Sequence, residues 1–455
     1  MNILVRADSS STIGTGHIMR DLVLASQYKD ANLIFATQNL DGNINYKIIE
    51  AGYDVVVLKS NDVREVIKLV KSKEINLVII DNYAIDYYYE KELKEKSNVQ
   101  ILAFDDTYEK HYCNILLNHN ISADARRYKE LVPQNCELRC GSKYTLLRDE
   151  FLQKFPKKKT SQTKNILLAM GGVDSRELNI KILEVLNTFS NLNISVVTTN
   201  VNNNLDKLKK YIQDKKNIVL YINTTQIAKL MYESDFAIVT PSVTVNEACF
   251  MKLPFIAIKT EENQKDIYEY LIKNNFLTLE KFDEDILQIS INLMLKLLKS
   301  ELKNFIDLTF NEKKMVFQWR NSNFVRQWMY NREEIILKNH LAYIESLKYT
   351  KDRVYFVLQD ADNYYGVVDL TSISNISAEL GLYANPIKKG SGTLLMYKII
   401  TYAFSVLKLK YLYANVYTNN KVAIKLYEKF NFVRKEIIND ENGKLYKMEL
   451  TYENR

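Results

Sequence analysis

A histidine at the mouth of a glycine turn is the residue of this chain best suited to activating water. The stretch runs Arg6-Ala7-Asp8-Ser9-Ser10-Ser11-Thr12-Ile13-Gly14-Thr15-Gly16-His17-Ile18-Met19-Arg20. It follows a short apolar run, Ile3-Leu4-Val5, and leads into the apolar face Leu22-Val23-Leu24-Ala25. A buried strand, a loop and a helix in that order set the loop at the carboxyl edge of a parallel sheet, where open α/β sheets bind ligands. Gly14 and Gly16 permit a tight turn and close backbone approach. They put His17 at the helix entrance, where free amides and the positive end of the dipole suit a phosphate or an oxyanion. The same dipole disfavours imidazolium, so His17 tends to stay neutral and able to accept a proton from water. A plain glycine turn with a polar capping side chain has the same local sequence, so the loop alone does not decide its chemistry.

Three further loops carry residue types suited to phosphate. Met170-Gly171-Gly172-Val173-Asp174 follows the apolar run Asn165–Ala169 and precedes a helix starting near Arg176. Thr240-Pro241-Ser242-Val243-Thr244-Val245-Asn246-Glu247 sets small hydroxyls, with an acid just behind them, at another strand-to-helix junction. Asn385-Pro386-Ile387-Lys388-Lys389-Gly390-Ser391-Gly392 heads the amphipathic segment Thr393–Leu407. In each, backbone amides at a helix start can hold a pyrophosphate. The paired acids Asp105 and Asp106 lack supporting metal ligands and read as a loop cap, and His119 either touches substrate or caps a turn.

The elements that must position these residues follow from length and pattern. A chain of 455 residues, 47% hydrophobic and 26% charged, holds roughly three folding units with sizeable cores. Apolar runs at Leu33–Ala36, Val55–Leu58, Leu77–Ile80, Ile101–Phe104 and Ile115–Leu117 predict parallel strands of a first doubly wound half. Runs at 165–169, 194–198, 218–222, 236–239 and 255–258 predict a second, joined to the first by the polar crossover 154–164. A helix near Glu284–Leu302 is expected to close it. Boundaries then fall at 1–155, 156–303 and 304–455. In the third part Trp319 to Met329 is expected on one helix and 335–347 on another, with strands at 354–358, 365–370, 378–383 and 411–416.

The formal charge of +7 comes from scattered lysines, which excludes the concentrated basic stripe of a nucleic-acid binder. No apolar run reaches membrane-spanning length, and the N-terminus enters a strand at once without a signal peptide. Four cysteines are too few for a disulfide framework, and Cys136 and Cys140 lack the second pair that a zinc site needs. Reduced thiols, no metal and a cytoplasmic location are the expectation.

The first loop, read as R-x-D-x-S…I-G-x-G-H-x-x-R-x-L-x-L-A, resembles the N-terminal signature of the UDP-sugar hydrolases of pseudaminic acid biosynthesis. Those enzymes remove UDP from 2,4-diacetamido-2,4,6-trideoxy-β-L-altropyranose. The resemblance implies a GT-B-like pair of Rossmann-type domains, UDP against the second and inversion at C1. It implies catalytic roles for His17, Tyr83 and Asn263. Arg6, Asp8, Gly14, Gly16, Gly171, Gly172, Ile222, Ser242, Val243, Thr244 and Glu247 would bind the UDP-sugar, Glu247 through the ribose as in the related lipid II glycosyltransferase.

The last third resembles the GNAT acyl-CoA N-acetyltransferases, an α+β fold. The resemblance rests on the Lys388–Gly392 loop coupled to Asn420-Lys421-Val422-Ala423-Ile424-Lys425-Leu426-Tyr427-Glu428-Lys429-Phe430. The nearest likeness is to the enzyme acetylating the 4-amine in the same pathway. Acetyl-CoA is then the co-substrate, touching Leu382, Lys388, Lys389, Gly390, Ser391, Gly392, Thr393 and Asn420. Tyr427 would donate a proton to the departing thiolate, and Glu379 is a candidate base. Arg320 pairs with a substrate phosphate or an internal acid, and His340 is structural. Isoleucine at 387 departs from the usual Gln or Arg. Rival readings are a GT-B glycosyltransferase with an acceptor, or a non-catalytic UDP-sugar-binding protein fused to the acetyltransferase.

Overall fold

Short buried runs alternating with amphipathic helices bury both sheet faces only by winding helices onto each side. The computed structural model describes residues 1–156, 163–174, 176–388 and 390–452. They form two units, Met1–Lys181 with Ser190–Tyr268, and Ile182–Phe189 with Glu269–Arg455.

The first unit contains two parallel sheets. One holds β1 (Asn2–Ala7), β2 (Asn32–Gln38), β3 (Asp54–Leu58), β4 (Leu77–Asp81), β5 (Gln100–Phe104), β6 (Ile115–Asn118) and β7 (Glu137–Cys140) in the order β3-β2-β1-β4-β5-β6-β7. The other holds β8 (Lys164–Ala169), β9 (Leu192–Thr198), β10 (Ile218–Ile222), β11 (Phe236–Val239) and β12 (Phe255–Ile258) in the order β10-β9-β8-β11-β12. Strand order reverses between β1 and β4 in the first and between β8 and β11 in the second, and a crevice opens beyond the strand ends at such points. Ala7 lies opposite Asp81, and Ala169 opposite Val239. The loops read as chemical from sequence therefore leave the sheets at both switch points.

A buried ion cluster fastens the outer part of the first sheet. His111 Nδ1 lies 2.8 Å from Glu90 Oε1 and its Nε2 faces Asp105 at 3.9 Å. Burial opposes the imidazolium, but Asp105 and Glu90 outweigh it and raise His111 to about 9. A folded value above the unfolded ~6.5 means stability fully present below that pH and lost as pH rises toward 9, on the order of 3 kcal/mol. Denaturant midpoints of the wild type should fall between pH 6.5 and 9, and those of His111→Gln should lack that slope. Equal slopes would assign the loss to another group.

In the second unit, after the short strand β13 (Leu277–Leu279), come β14 (Glu301–Asn304), β15 (Val354–Gln359), β16 (Tyr364–Thr371), β17 (Ser377–Ala384), β18 (Tyr411–Tyr417), β19 (Val433–Asp440) and β20 (Gly443–Thr451). The sheet order is β14-β15-β16-β17-β18-β20-β19, antiparallel except at β17 and β18. Those two pair only from Ser377↔Tyr411 to Glu379↔Tyr413. Beyond Glu379 they part, and among the described residues the β18-facing edge of β17 has no ladder partner. The helix Gly392–Thr401 packs Leu395 and Ile399 on one sheet face, whereas Trp319 and Ile344 cover the other.

Three features differ from expectation. The helix Glu284–Lys299 packs Leu293 and Leu297 against the core of the third sheet, and β14 pairs with β15, so both serve this sheet although they precede residue 304. The helix through Trp319 stops at Ser322, whose extended ψ of 142° breaks it before the short helix Asn323–Arg326. The helix after Gly392 is regular only to Thr401 and ends in a π-turn, Tyr402–Val406.

Candidate active sites

The loop after β1 is held by its own strand residues. Arg6 is fully buried and donates to Asp8 at 2.7 Å, to the Ala36 carbonyl at 3.3 Å and to Asn61. Asp8 also accepts from the Gln38 amide at 2.7 Å and Asn82 Nδ2 at 2.8 Å. Both residues, expected on the substrate, instead lie inside the frame that ties together the loops after β1, β2 and β4. A guanidinium this deep is tolerated only when paired, and the bonds made by its two terminal nitrogens, not by Nε, fix the loop. Gly14, at φ +85°, closes a pair of backbone hydrogen bonds with Ser10 in a conformation open to glycine, and Gly16 opens the helix Gly16–Ala25.

That helix delivers His17 to the end of β4, with Nδ1 2.7 Å from Asp81 Oδ1. A carboxylate there selects the tautomer with hydrogen on Nδ1 and leaves the Nε2 lone pair free to accept a proton. One turn on, Arg20 clamps the same carboxylate, Nε to Oδ2 at 2.6 Å and Nη2 to Oδ1 at 2.5 Å, and reaches Asp106 at 3.1 Å. Burial alone would raise Asp81, but the Arg20 guanidinium holds it well below the usual carboxylate range. Burial and the Asp81 charge push the neighbouring Asp21 up instead, so Asp81 is the ionised one of the two. Tyr83 donates to Asp106 at 2.7 Å and sets its ring edge-on to His17, centroids 4.7 Å apart. His119 is buried, and burial lowers it to about 4, which keeps it neutral.

Within the same unit, a cavity of about 170 Å³ opens at the second switch point, lined by Gly171, Gly172, Thr199, Thr244, Glu247 and Arg148 among others. Gly171 adopts φ +87°, and a Cβ on Gly172 would stand 3.0 Å from the Thr199 side chain. Glu247 accepts from Arg148 Nη2 at 2.8 Å; burial pushes its carboxyl up and Arg148 pulls against that. Asn246, beside it, bonds the Ile121 amide at 3.1 Å and Asn120 at 3.2 Å on the first half. Ile222 at the end of β10, Ser242 and Val243 at the start of the helix Val243–Phe250, and the exposed Asn263 do not line this cavity.

In the second unit the loop before the helix Gly392–Thr401 has Gly390 at φ +82°, and a Cβ on Gly392 would lie 3.0 Å from Leu426. The helix start is thereby pressed against the helix Lys421–Lys429 with its first amides free, beside the open edge of β17 that carries half-buried Leu382. That cradle of amides, with buried Ser391 and half-buried Thr393 in it, fits the pyrophosphate of acetyl-CoA. Two residues expected on acetyl-CoA have side chains bonded within the protein. The Lys388 ammonium is bonded to Asn363 and lies 4.8 Å from the Tyr365 ring centroid, and Asn420 is the cap of its helix, accepting from the Ala423 amide at 3.1 Å. Lys389 lies outside the described residues. Tyr427 is buried with its ring against Phe432. Glu379 Oε1 accepts from Tyr330 at 2.8 Å and from Asn415 at 3.0 Å. Arg320 donates to the Asn331 carbonyl at 2.6 Å, and His340 bonds the Lys313 carbonyl at 3.1 Å.

Known proteins resemble the chain along its length and in separate parts; an uncharacterized protein of Methanocaldococcus jannaschii is 26% identical over 500 residues, covering 99% of this chain and all of that one. The acetyltransferase (GNAT) domain family matches residues 306–433. A UDP-2,4-diacetamido-2,4,6-trideoxy-β-L-altropyranose hydrolase of Campylobacter jejuni is 42% identical over 276 residues, covering 61% of this chain and 98% of that one. Acetyltransferase PseH of the same species is 38% identical over 146 residues, 32% of this chain and 90% of that one. The chain belongs to both families. A crystal structure of the Campylobacter jejuni N-acetyltransferase PseH with acetyl coenzyme A aligns at 32% identity over 34% of this chain and 99% of that one, TM-score 0.29. In the hydrolase part, Asp81 and Arg148 escape the sequence reading because their partners are far away in sequence.

Proposed function

We propose that the chain is a bifunctional nucleotide-sugar enzyme. Its GNAT part acetylates the 4-amine of UDP-4-amino-4,6-dideoxy-N-acetyl-β-L-altrosamine, and its two α/β halves hydrolyse UDP from the resulting 2,4-diacetamido sugar. The observation that carries the hydrolytic half is the Asp81–His17 pair, 2.7 Å apart at a switch point. Its Nε2 takes a proton from water as the water's oxygen attacks C1. The bond from C1 to the diphosphate breaks, and the pyrophosphate charge settles on the amides of the Gly171–Gly172 loop. UDP leaves readily, so a strong acid on the leaving side is unnecessary. Tyr83 lines the sugar site, and Glu247 with Arg148 faces the ribose.

In the acetyltransferase the amine attacks the thioester carbonyl while both substrates are held together. Tyr427 supplies the proton that the thiolate takes up. Residues 1–155 and 156–303 make the hydrolase halves, with β14 and the helix before it lent to the acetyltransferase. Both substrates are small molecules handled in the cytoplasm, and no described helix is long and apolar enough to cross a membrane.

Tyr427→Phe keeps the buried ring and removes the acid. CoA release should fall about 10²-fold, with UDP release from supplied diacetamido substrate unchanged. The test of the whole reading is wild-type protein with acetyl-CoA and the UDP-4-amino sugar. Free UDP, CoA and the acetylated sugar are expected without any added acceptor. UDP release only on adding an acceptor would make the first part a glycosyltransferase.

A further inference from the structure

Glu379 is poorly suited to be the only base of the acetyltransferase, because two donors already occupy one of its oxygens. A second carboxylate lies beside it. Asp369 on β16 stands opposite Gly381 on β17, and Gly381 shares a sheet face with Glu379 two residues before it. The Asp369 carboxylate folds directly over that glycine: a Cβ on Gly381 would meet its Oδ2 at 2.6 Å and Oδ1 at 2.7 Å. The glycine is what leaves room for it. Among the described residues no group donates a hydrogen bond to Asp369, unlike Glu379. The groups facing it are Tyr355 from β15, Glu379 and Tyr383 from β17, and Tyr427 from the helix Lys421–Lys429. No described cation neutralises it. The carboxylate thus lies among phenols over the β16–β17 pair, two residues along the sheet from Glu379, where β17 and β18 part.

We propose that Asp369 is the proton acceptor for the amine in acetyl transfer, an assignment that rests on the acetyltransferase reading above. The substrate arrives as an ammonium ion. Asp369 takes one proton and frees the nitrogen lone pair, which forms the C–N bond to the thioester carbon as the C–S bond breaks. The second proton lost by the nitrogen passes to the Tyr427 phenolate and replaces the one that Tyr427 gave the thiolate, and Asp369 returns its own to solvent. Burial, helped by the Glu379 charge, pushes Asp369 up to about 7, which matches a base working near neutral pH. Glu379, held by Tyr330 and Asn415, is then a positioning residue that keeps Asp369 basic.

The test is CoA release from acetyl-CoA and the UDP-4-amino sugar by the full chain between pH 5.5 and 9.5. Wild-type kcat/KM should rise tenfold per pH unit to a plateau near 7. Asp369→Asn should lose about 10²–10³-fold at pH 7 and recover only at higher pH, as the substrate amine sheds its own proton. Its acetyl-CoA affinity by calorimetry and its UDP release should match wild type, which excludes misfolding. Glu379→Gln should keep most of the rate and move the pH midpoint downward. Asp369→Asn within threefold of wild type, with the pH limb intact, overturns the assignment and leaves the acetyltransferase reading standing. Wild type that releases no CoA with this amine overturns both.

Discussion

His17→Asn is expected to lower UDP release from the diacetamido sugar by about 10²–10⁴-fold, the contribution of a positioned general base. Asparagine can still offer an N–H to Asp81, so the buried carboxylate keeps a donor and Arg20 keeps its clamp. What disappears is the lone pair that Nε2 presents to water. CoA release lies in the other unit and should not change. Given acetyl-CoA and the amino sugar, the variant should therefore accumulate the acetylated UDP-sugar, a species the wild type consumes. Chromatography of the mixture at fixed times reads both effects at once. If the variant released UDP within tenfold of wild type, water would have to be activated elsewhere in the loop, and Tyr83 with its bond to Asp106 is the next group to test.

Much of this arrangement was legible before the structure because parallel strands buried on both faces are continuous apolar runs. Ile3–Val5, Leu77–Ile80 and Phe236–Val239 are of that kind, and each loop after them was located to within a residue or two. Strands with one wet or open side were not: β7 and β14 mix charged with apolar residues and have no fully buried position, and β19 is exposed along most of its length. Motifs reveal which residues matter but not whether they touch a ligand. Arg6, Asp8, Lys388 and Asn420 all sit in the expected loops, yet each spends its polar atoms holding the loop's shape. Asp81 and Asp369 show the converse. Their importance comes from strand neighbours, β1 beside β4 and β16 beside β17, and no local pattern encodes which strands become neighbours.

Asp81→Asn should damage both stability and hydrolysis, and the two losses have different physical origins. Arg20 clamps this carboxylate with two donors, so an amide in its place leaves a largely buried guanidinium with Asp106 as its remaining anion. Removing one partner of a buried pair costs roughly 3–5 kcal/mol. The catalytic loss comes from the proton on the imidazole. An amide nitrogen turned toward His17 donates where the carboxylate accepted, which drives the ring hydrogen to Nε2 and leaves no lone pair for water; where a histidine base is held this way, the wrong tautomer costs about 10⁴ in kcat. The pH dependence separates this variant from those with groups titrating near neutrality. Asp81 is held below its unfolded value of about 3.9, so its contribution is present above that pH and lost only as pH falls through the still lower folded value. Between pH 5 and 9 Asp81 does not itself titrate, so the stability lost with the Arg20 clamp in Asp81→Asn should be constant. Denaturant midpoints and UDP release across that range give the answer, with CoA release as the internal control for folding of the other unit. A stable variant that hydrolyses at the wild-type rate would remove Asp81 from the mechanism, and with it the account of how the His17 Nε2 lone pair is kept free.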